Sequence, residues 1–364
     1  MNAAAQRPIH LPGRSESAVR AALAGYSRLR CVIGPGHELC AQSRRYALHF
    51  VNWRDRRTRR KNQRSAPDGD RGRAGDVGTG ALDGSATMGS MRFAFKTAPQ
   101  NTTWPDMLAV WEEADDIGIF ESGWTFDHFY PIFSDPAGPC LEGWMTLAAL
   151  AQATRRLRLG TLVTGIHYRH PAVLANMAAT LDIVSGGRLE LGIGAGWNEE
   201  ESGAYGIQLG GPAERSDRFE EACQVIVSLL SQETTDFAGK YYQLTSARCE
   251  PKPVQQPHPP VVIGGSGERR TLRTAARFAQ HWNFVGGSPE EFARKRDVLY
   301  AHCHDIGRDP KEIMLSSHIR LALTATPGPS RTPRPRSASW ASTWRSSSSR
   351  HRTTPPCSPR SPTP

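Results

Sequence analysis

The sequence contains no C-x-x-C pair, although it holds seven cysteines, at 31, 40, 140, 223, 249, 303 and 357. An odd, scattered set argues against a disulfide framework and against a zinc knuckle, and it fits a reducing cytoplasm. No apolar run approaches the roughly 20 residues that a membrane helix needs. The first residues lack the apolar core of a signal peptide. A cytoplasmic protein with no membrane partner is the resulting expectation. The central segment has no G-x-S-x-G and no P-loop, and Gly192-Ile193-Gly194-Ala195-Gly196 lacks the third-glycine spacing of a Rossmann fingerprint. His167 and His170, like His302 and His304, have no carboxylate at obvious ligand spacing, so no metal is expected.

Acid is scarce in the flanks. The net charge is +10, but residues 1–90 carry 16 Arg/Lys against 7 Asp/Glu, and residues 326–364 carry 7 Arg and no acid. The segment 91–325 is therefore net acidic, at −6. It offers no basic footprint for a phosphate backbone, and nucleic acid is not an expected partner. Three regions follow. Residues 1–90, with the run Arg54 to Lys61, sustain neither the helical nor the strand period and read as a disordered extension. They are either a basic binding arm or the product of a start placed upstream of Met88 or Met91, and the second reading is preferred. Residues 91–325 carry the pattern of a folded domain. Residues 326–364 are Pro, Ser, Arg and Thr with almost no aliphatic residue. That tail reads as an out-of-frame replacement of a last helix–strand–helix unit. A genuine disordered tail is the alternative, and it would leave two strand edges unpaired. The coding DNA near Thr324 decides between them.

From Met91 strands and helices alternate. Arg92 to Lys96 reads as a strand and Thr103 to Gly118 as a helix, with Thr103 as cap and Pro105 in the first turn. An apolar strand from Ile117 runs towards Pro131, followed by a helix over Leu141–Thr154. Strands at Leu157–Val163 and Arg188–Gly194 flank a helix opened by Pro171, and a long helix covers Ala213–Ser231. A Gly-turned hairpin between Thr234 and Cys249 breaks the rhythm. Strands at Val261–Gly265, Trp282–Val285 and Ile313–Leu323 follow, with helices between them; Ser288-Pro289-Glu290-Glu291 is a capping box. Seven β units with helical crossovers point to a parallel α/β sheet, and eight would close a barrel.

Chemistry is expected at the carboxyl ends of such strands. Asp127-His128 stands there, and histidine is the commonest side chain for moving a proton near neutral pH. As a structural alternative, Asp127 caps a turn and His128 is a hydrogen-bonded loop residue. Gly194-Ala195-Gly196-Trp197-Asn198 follows the fourth strand; its glycines allow close approach to a flat ligand, and Asn198 also suits a helix cap. Gly264-Gly265-Ser266-Gly267 leads into a helix whose free N–H groups favour an anion such as phosphate.

Thr125-Phe126-Asp127-His128-Phe129, the strand Leu159 to Thr164 followed by His170-Pro171-Ala172-Val173-Leu174-Ala175, and Arg188 to Trp197 together resemble the luciferase-like monooxygenase superfamily. The resemblance covers about residues 91–325. It implies a (β/α)8 TIM barrel whose last β/α unit is lost here, with an insertion. It also implies an oxidoreductase with a cofactor across the strand ends. The Asp-His-Phe ending looks most like the branch that uses coenzyme F-420, a 5-deazaflavin; FMN, in a monooxygenase, is the alternative. A catalytically inactive, truncated cofactor-binding protein is the reading of another class.

On this resemblance His128 is catalytic and Asp127 contacts or holds the ring. A cis peptide near Leu162-Val163, with Thr164, lies under the ring. Gly194, Ala195 and Gly196 approach it, and Gly264, Gly265, Ser266 and Gly267 hold phosphate. Trp197 stands where the sugar-phosphate branch has a glutamate. It implies a flatter, more apolar small-molecule substrate. Barrels of this class often pair through helices, which leaves a homodimer open.

Overall fold

Local signals set where the helices start. In the computed structural model, which describes residues 47–52, 91–132 and 134–320, Thr103 caps α1 (Trp104–Asp116) by accepting from the Asp106 N–H. The other helices are α2 (Gly143–Ala153), α3 (Pro171–Val184), α4 (Glu199–Ala204), α5 (Pro212–Ser231), α6 (Thr271–Phe278) and α7 (Pro289–Asp305). Ser288 caps α7 on the Glu291 N–H, as the capping box implies. The strands are β1 (Ala47–Asn52), β2 (Met91–Lys96), β3 (Phe120–Thr125), β4 (Arg158–Thr161), β5 (Thr164–Gly165), β6 (Leu191–Gly194), β9 (Val261–Gly264), β10 (His281–Phe284) and β11 (Met314–Arg320). The hairpin β7 (Thr235–Ala238) and β8 (Gln243–Ala247) forms a separate two-stranded sheet.

The main sheet runs β4-β3-β2-β1-β11-β10-β9-β6-β5. Its two ends, β4 and β5, are halves of one strand interrupted at Leu162-Val163, and a parallel bridge joins Leu159 to Leu189 at the entry of β6. The sheet therefore returns on itself with eight strand positions. Seven run parallel, as the alternation implies. The eighth is filled by β1, which lies antiparallel between β2 and β11: Ala47 pairs Lys96 on one side and Arg320 on the other. Within residues 1–90, read from the sequence as a disordered or mis-assigned extension, β1 is a described element. The segment is paired on both sides, so two ladders hold a strand that no neighbouring helix or strand pattern announces. Both neighbouring edges gain a partner. The remaining residues of the 1–90 extension and the 326–364 tail lie outside those described.

The barrel wall is held by fully buried aromatic side chains, among them Phe93, Phe95, Trp111, Phe120, Trp124 and Trp282. Near the amino ends of the strands a polar cluster is buried with them. Glu190 accepts from Arg158 Nε at 2.7 Å and lies 3.4 Å from His281 Nδ1, while His281 Nε2 reaches Ser316 Oγ at 2.6 Å. Burial opposes the Glu190 charge, but Arg158 and His281 outweigh it and hold the carboxyl down at about 2. In a barrel this face supports stability rather than chemistry. Among the described residues no helix is long and apolar enough to cross a membrane, and no group of three His, Cys, Asp or Glu is placed to hold a metal.

Candidate active site

β3 ends at Thr125, and Phe126, Asp127 and His128 run off its carboxyl end, all buried. His128 does not stand alone there. Its Nδ1 lies 2.7 Å from Glu201 Oε2. The same carboxylate accepts from the Phe129 N–H at 2.5 Å and from the Tyr168 hydroxyl at 2.6 Å, and Glu201 is 0% exposed. Burial alone would raise the Glu201 carboxyl; the bonds from His128, Tyr168 and Phe129 outweigh it and hold the group below its ordinary range. An ionised carboxylate only accepts, so His128 Nδ1 is assigned as the donor. Nε2 then has no protein partner among the described residues and is the nitrogen that can take or give a proton. Burial, with Glu201 close by, pushes the Tyr168 hydroxyl up, so it stays a donor.

Sequence reasoning passed over Glu201, reading Glu199-Glu200-Glu201 only as acid at a helix start. The signal was present in the cap: Asn198 Oδ1 accepts from the Glu201 N–H, which makes Glu201 the third residue of α4 and turns it inward. Replacing Glu201 with Gln removes the charge that three donors share and is expected to lower stability by about 3 kcal/mol, the low end for breaking a buried pair. Thermal melting of the variant checks this, with an expected drop of roughly 6–12 °C.

The other expected residues divide. Asp127 spends both carboxylate oxygens on Arg169, at 2.5 and 3.1 Å, and Arg169 also reaches Glu142 at 2.7 Å. Burial opposes the Arg169 charge, but Asp127 and Glu142 outweigh it and hold the guanidinium protonated. The Asp127 side chain thus ties down the strand end through Arg169. Thr164 is likewise turned into packing: its Oγ1 lies 2.8 Å from Thr161 Oγ1 and accepts from Trp144 Nε1 at 2.9 Å.

Leu162-Val163 is a cis peptide. The Leu162 N–H donates to the Thr125 carbonyl, and its own carbonyl accepts from Lys96 Nζ at 3.0 Å. Val163 is half-buried and fills the room left by two glycines: a Cβ on Gly194 would stand 2.8 Å from its Cγ2, and one on Gly264 3.1 Å from its Cγ1. These glycines make room for the Val163 side chain. Ala195 is half-buried beside them. Gly196 (φ 86°) packs against His167, whose Nε2 meets Ser202 Oγ at 3.1 Å. Burial pushes His167 down to about 4, so it is neutral.

Trp197 is 51% exposed, and its ring meets the His128 ring edge-on at 5.6 Å. Tyr205 stacks on Phe129 at 4.4 Å. After β9, Gly264, Gly265 (φ 116°), Ser266 and Gly267 lead towards α6, whose N-cap residue Arg270 supplies no side-chain bond to the first turn. Cys140 donates its thiol to the His128 carbonyl at 3.4 Å, and burial pushes it up to about 12, so it is no nucleophile.

A buried carboxylate–histidine pair at a barrel strand end, beside a bulge at the barrel mouth, is the geometry on which the comparisons bear. Residues 90–329 match the family model for luciferase-like monooxygenases. The chain belongs to that family. Its fold is the TIM barrel of the luciferase-like type. A relative, the F420-dependent hydroxymycolic acid dehydrogenase of Mycobacterium tuberculosis, is 33% identical over 214 residues, 56% of each chain. The F420-dependent glucose-6-phosphate dehydrogenase of Amycolatopsis mediterranei is 30% identical over 177 residues, 48% of this chain and 52% of that one. This luciferase-like chain spans about half the length of the curated relatives it matches. Among solved structures, an F420-dependent secondary alcohol dehydrogenase in complex with an F420-acetone adduct aligns with a TM-score of 0.56 and 25% identity, over 60% of this chain and 66% of that one.

Proposed function

We propose that this luciferase-like chain is an oxidoreductase that uses coenzyme F-420 and a small organic substrate, with His128 as the proton-transferring residue. The observation that carries the reading is the His128–Glu201 pair, which leaves Nε2 as the exchangeable nitrogen at the carboxyl end of β3. Relatives named for the same coenzyme support it. The bound deazaflavin would supply a ring carbon, C5, that accepts or returns a hydride.

The residues present fit such a group. Val163 rises at the barrel mouth and offers an apolar floor. The turn Gly264–Gly267, with Gly265 at positive φ, opens into a helix without a side-chain cap, whose first N–H groups suit a phosphate. His128 holds or releases the hydroxyl proton of the substrate as its carbon loses or gains the hydride, and Glu201 keeps the imidazole oriented. Trp197, half exposed beside His128, favours an apolar substrate face over a sugar phosphate. The relatives' names include both, a hydroxymycolic acid and glucose 6-phosphate.

Fluorescence titration of the full-length chain with oxidised coenzyme F-420, with FMN in parallel, tests the reading. Saturable binding of the deazaflavin alone is the expected result. Tight FMN binding would move the chain to the monooxygenase reading, and binding of neither would overturn the cofactor assignment.

A further inference from the structure

Lys96 is the last residue of β2, on the strand whose partner β3 delivers His128. The residue donates through its ammonium to the backbone of the bulge. It is half-buried, and its ammonium is anchored by the 3.0 Å bond to the carbonyl of Leu162, the residue before Val163 in the bulge. It also lies 5.9 Å from the centre of the Phe126 ring, and that ring meets the His128 ring edge-on at 5.1 Å. A cation is thus held beneath the barrel mouth, next to the same bulge that forms the floor and one aromatic ring away from the proton-transferring histidine. Partial burial matters: a charge screened by water would have little effect on a neighbouring group, whereas one set among Phe126, Leu162 and the barrel wall acts over several ångströms.

We propose that Lys96 is an electrostatic residue that selects the reduced over the oxidised state of the cofactor, a role resting on the deazaflavin reading above. The balance of the reaction shows why the two states differ. A substrate carbinol would give a hydride, a hydrogen nucleus with an electron pair, to a bound deazaflavin: the substrate C–H bond would break, a C–H bond would form on the ring, and the carbonyl double bond would close. The hydroxyl proton goes to His128 Nε2. Relative to its oxidised form the ring has gained one negative charge. A fixed ammonium under the floor stabilises that added charge and not the state before it, so its effect appears in the difference between the two affinities rather than in either alone. A role confined to bracing the Leu162 carbonyl would weaken both states together.

The experiment is a pair of titrations of the full-length chain, with oxidised and with reduced coenzyme F-420, for the wild type and for Lys96→Gln, which keeps an amide donor and removes the charge. Lys96→Arg keeps the charge. In Lys96→Gln the reduced form is expected to lose at least tenfold more affinity than the oxidised form, equivalent to a potential about 30 mV more negative per factor of ten. Lys96→Arg is expected to restore most of the difference. Equal weakening of both forms, or an arginine variant no better than the glutamine one, overturns the role. Should Lys96→Gln fail to fold, Lys96→Met gives the same comparison with the chain length kept. If the wild type binds neither form, the cofactor reading itself fails and this role falls with it; if it binds both and the variants do not separate them, only the role of Lys96 fails.

Discussion

Replacing His128 with alanine is expected to reduce turnover about 10²- to 10⁴-fold, the range for losing a positioned acid–base group, while leaving deazaflavin affinity within a few-fold of the wild type. The separation follows from geometry. The floor around Val163 and the Gly264–Gly267 turn do not depend on the imidazole, whereas the proposed proton transfer runs through His128 Nε2. Alanine also leaves Glu201 with two of its three donors, Phe129 N–H and Tyr168 hydroxyl, so the buried carboxylate stays satisfied and the fold is expected to survive. Single-turnover reduction of bound deazaflavin, set beside the binding titration, checks both halves. Unchanged turnover would remove His128 from the mechanism.

A stability effect as large as that of Glu201→Gln is expected at the opposite end of the barrel. Glu190 is held at about 2 in the folded chain, against an ordinary value of 4.5. A carboxyl lowered on folding contributes stability that is fully present above its unfolded value and is lost as pH falls towards the folded one. The contribution is about 3 kcal/mol, present above roughly pH 4.5 and lost progressively towards pH 2. Glu190→Gln removes it at neutral pH and leaves the half-buried Arg158 guanidinium without the carboxylate it pairs with. Denaturant unfolding at pH 7 is expected to show that loss, and the variant's stability is expected to vary less than the wild type's between pH 4.5 and 2. Parallel pH dependences for the two proteins would place the acid sensitivity elsewhere.

What could be read in advance divides along a physical line. Period, caps and breakers are local, so α1 with its Thr103 cap, α7 with its Ser288 box, and the strand carrying Asp127-His128 stand close to where the pattern puts them. The barrel strand expected over Leu157–Val163 is interrupted by the bulge, because Gly194 and Gly264 make room for Val163, and that is a property of three strands together. Functional partners were legible only as types. Glu201 meets His128 across 73 positions, Arg169 meets Asp127 across 42, and Lys96 meets Leu162 across 66. A single chain read in order carries no mark of such pairings. Asp127 is such a case: its place at a strand end was legible, but its pairing with Arg169 was not.

The strand at Ala47–Asn52 has a consequence for the time course of folding. The seven parallel positions join neighbours through successive crossovers, so their contacts form between segments near one another in the chain. The seal is different: Asn52 pairs with Leu315, across most of the sequence, and with Met91 across the long stretch 53–90. The loop-closure entropy of that pairing is met only once β11 is in place, although β1 precedes every other described strand in the chain. A late phase in refolding, absent when residues 47–52 are deleted and slowed when the stretch 53–90 is lengthened, is how such a closure would appear in stopped-flow fluorescence.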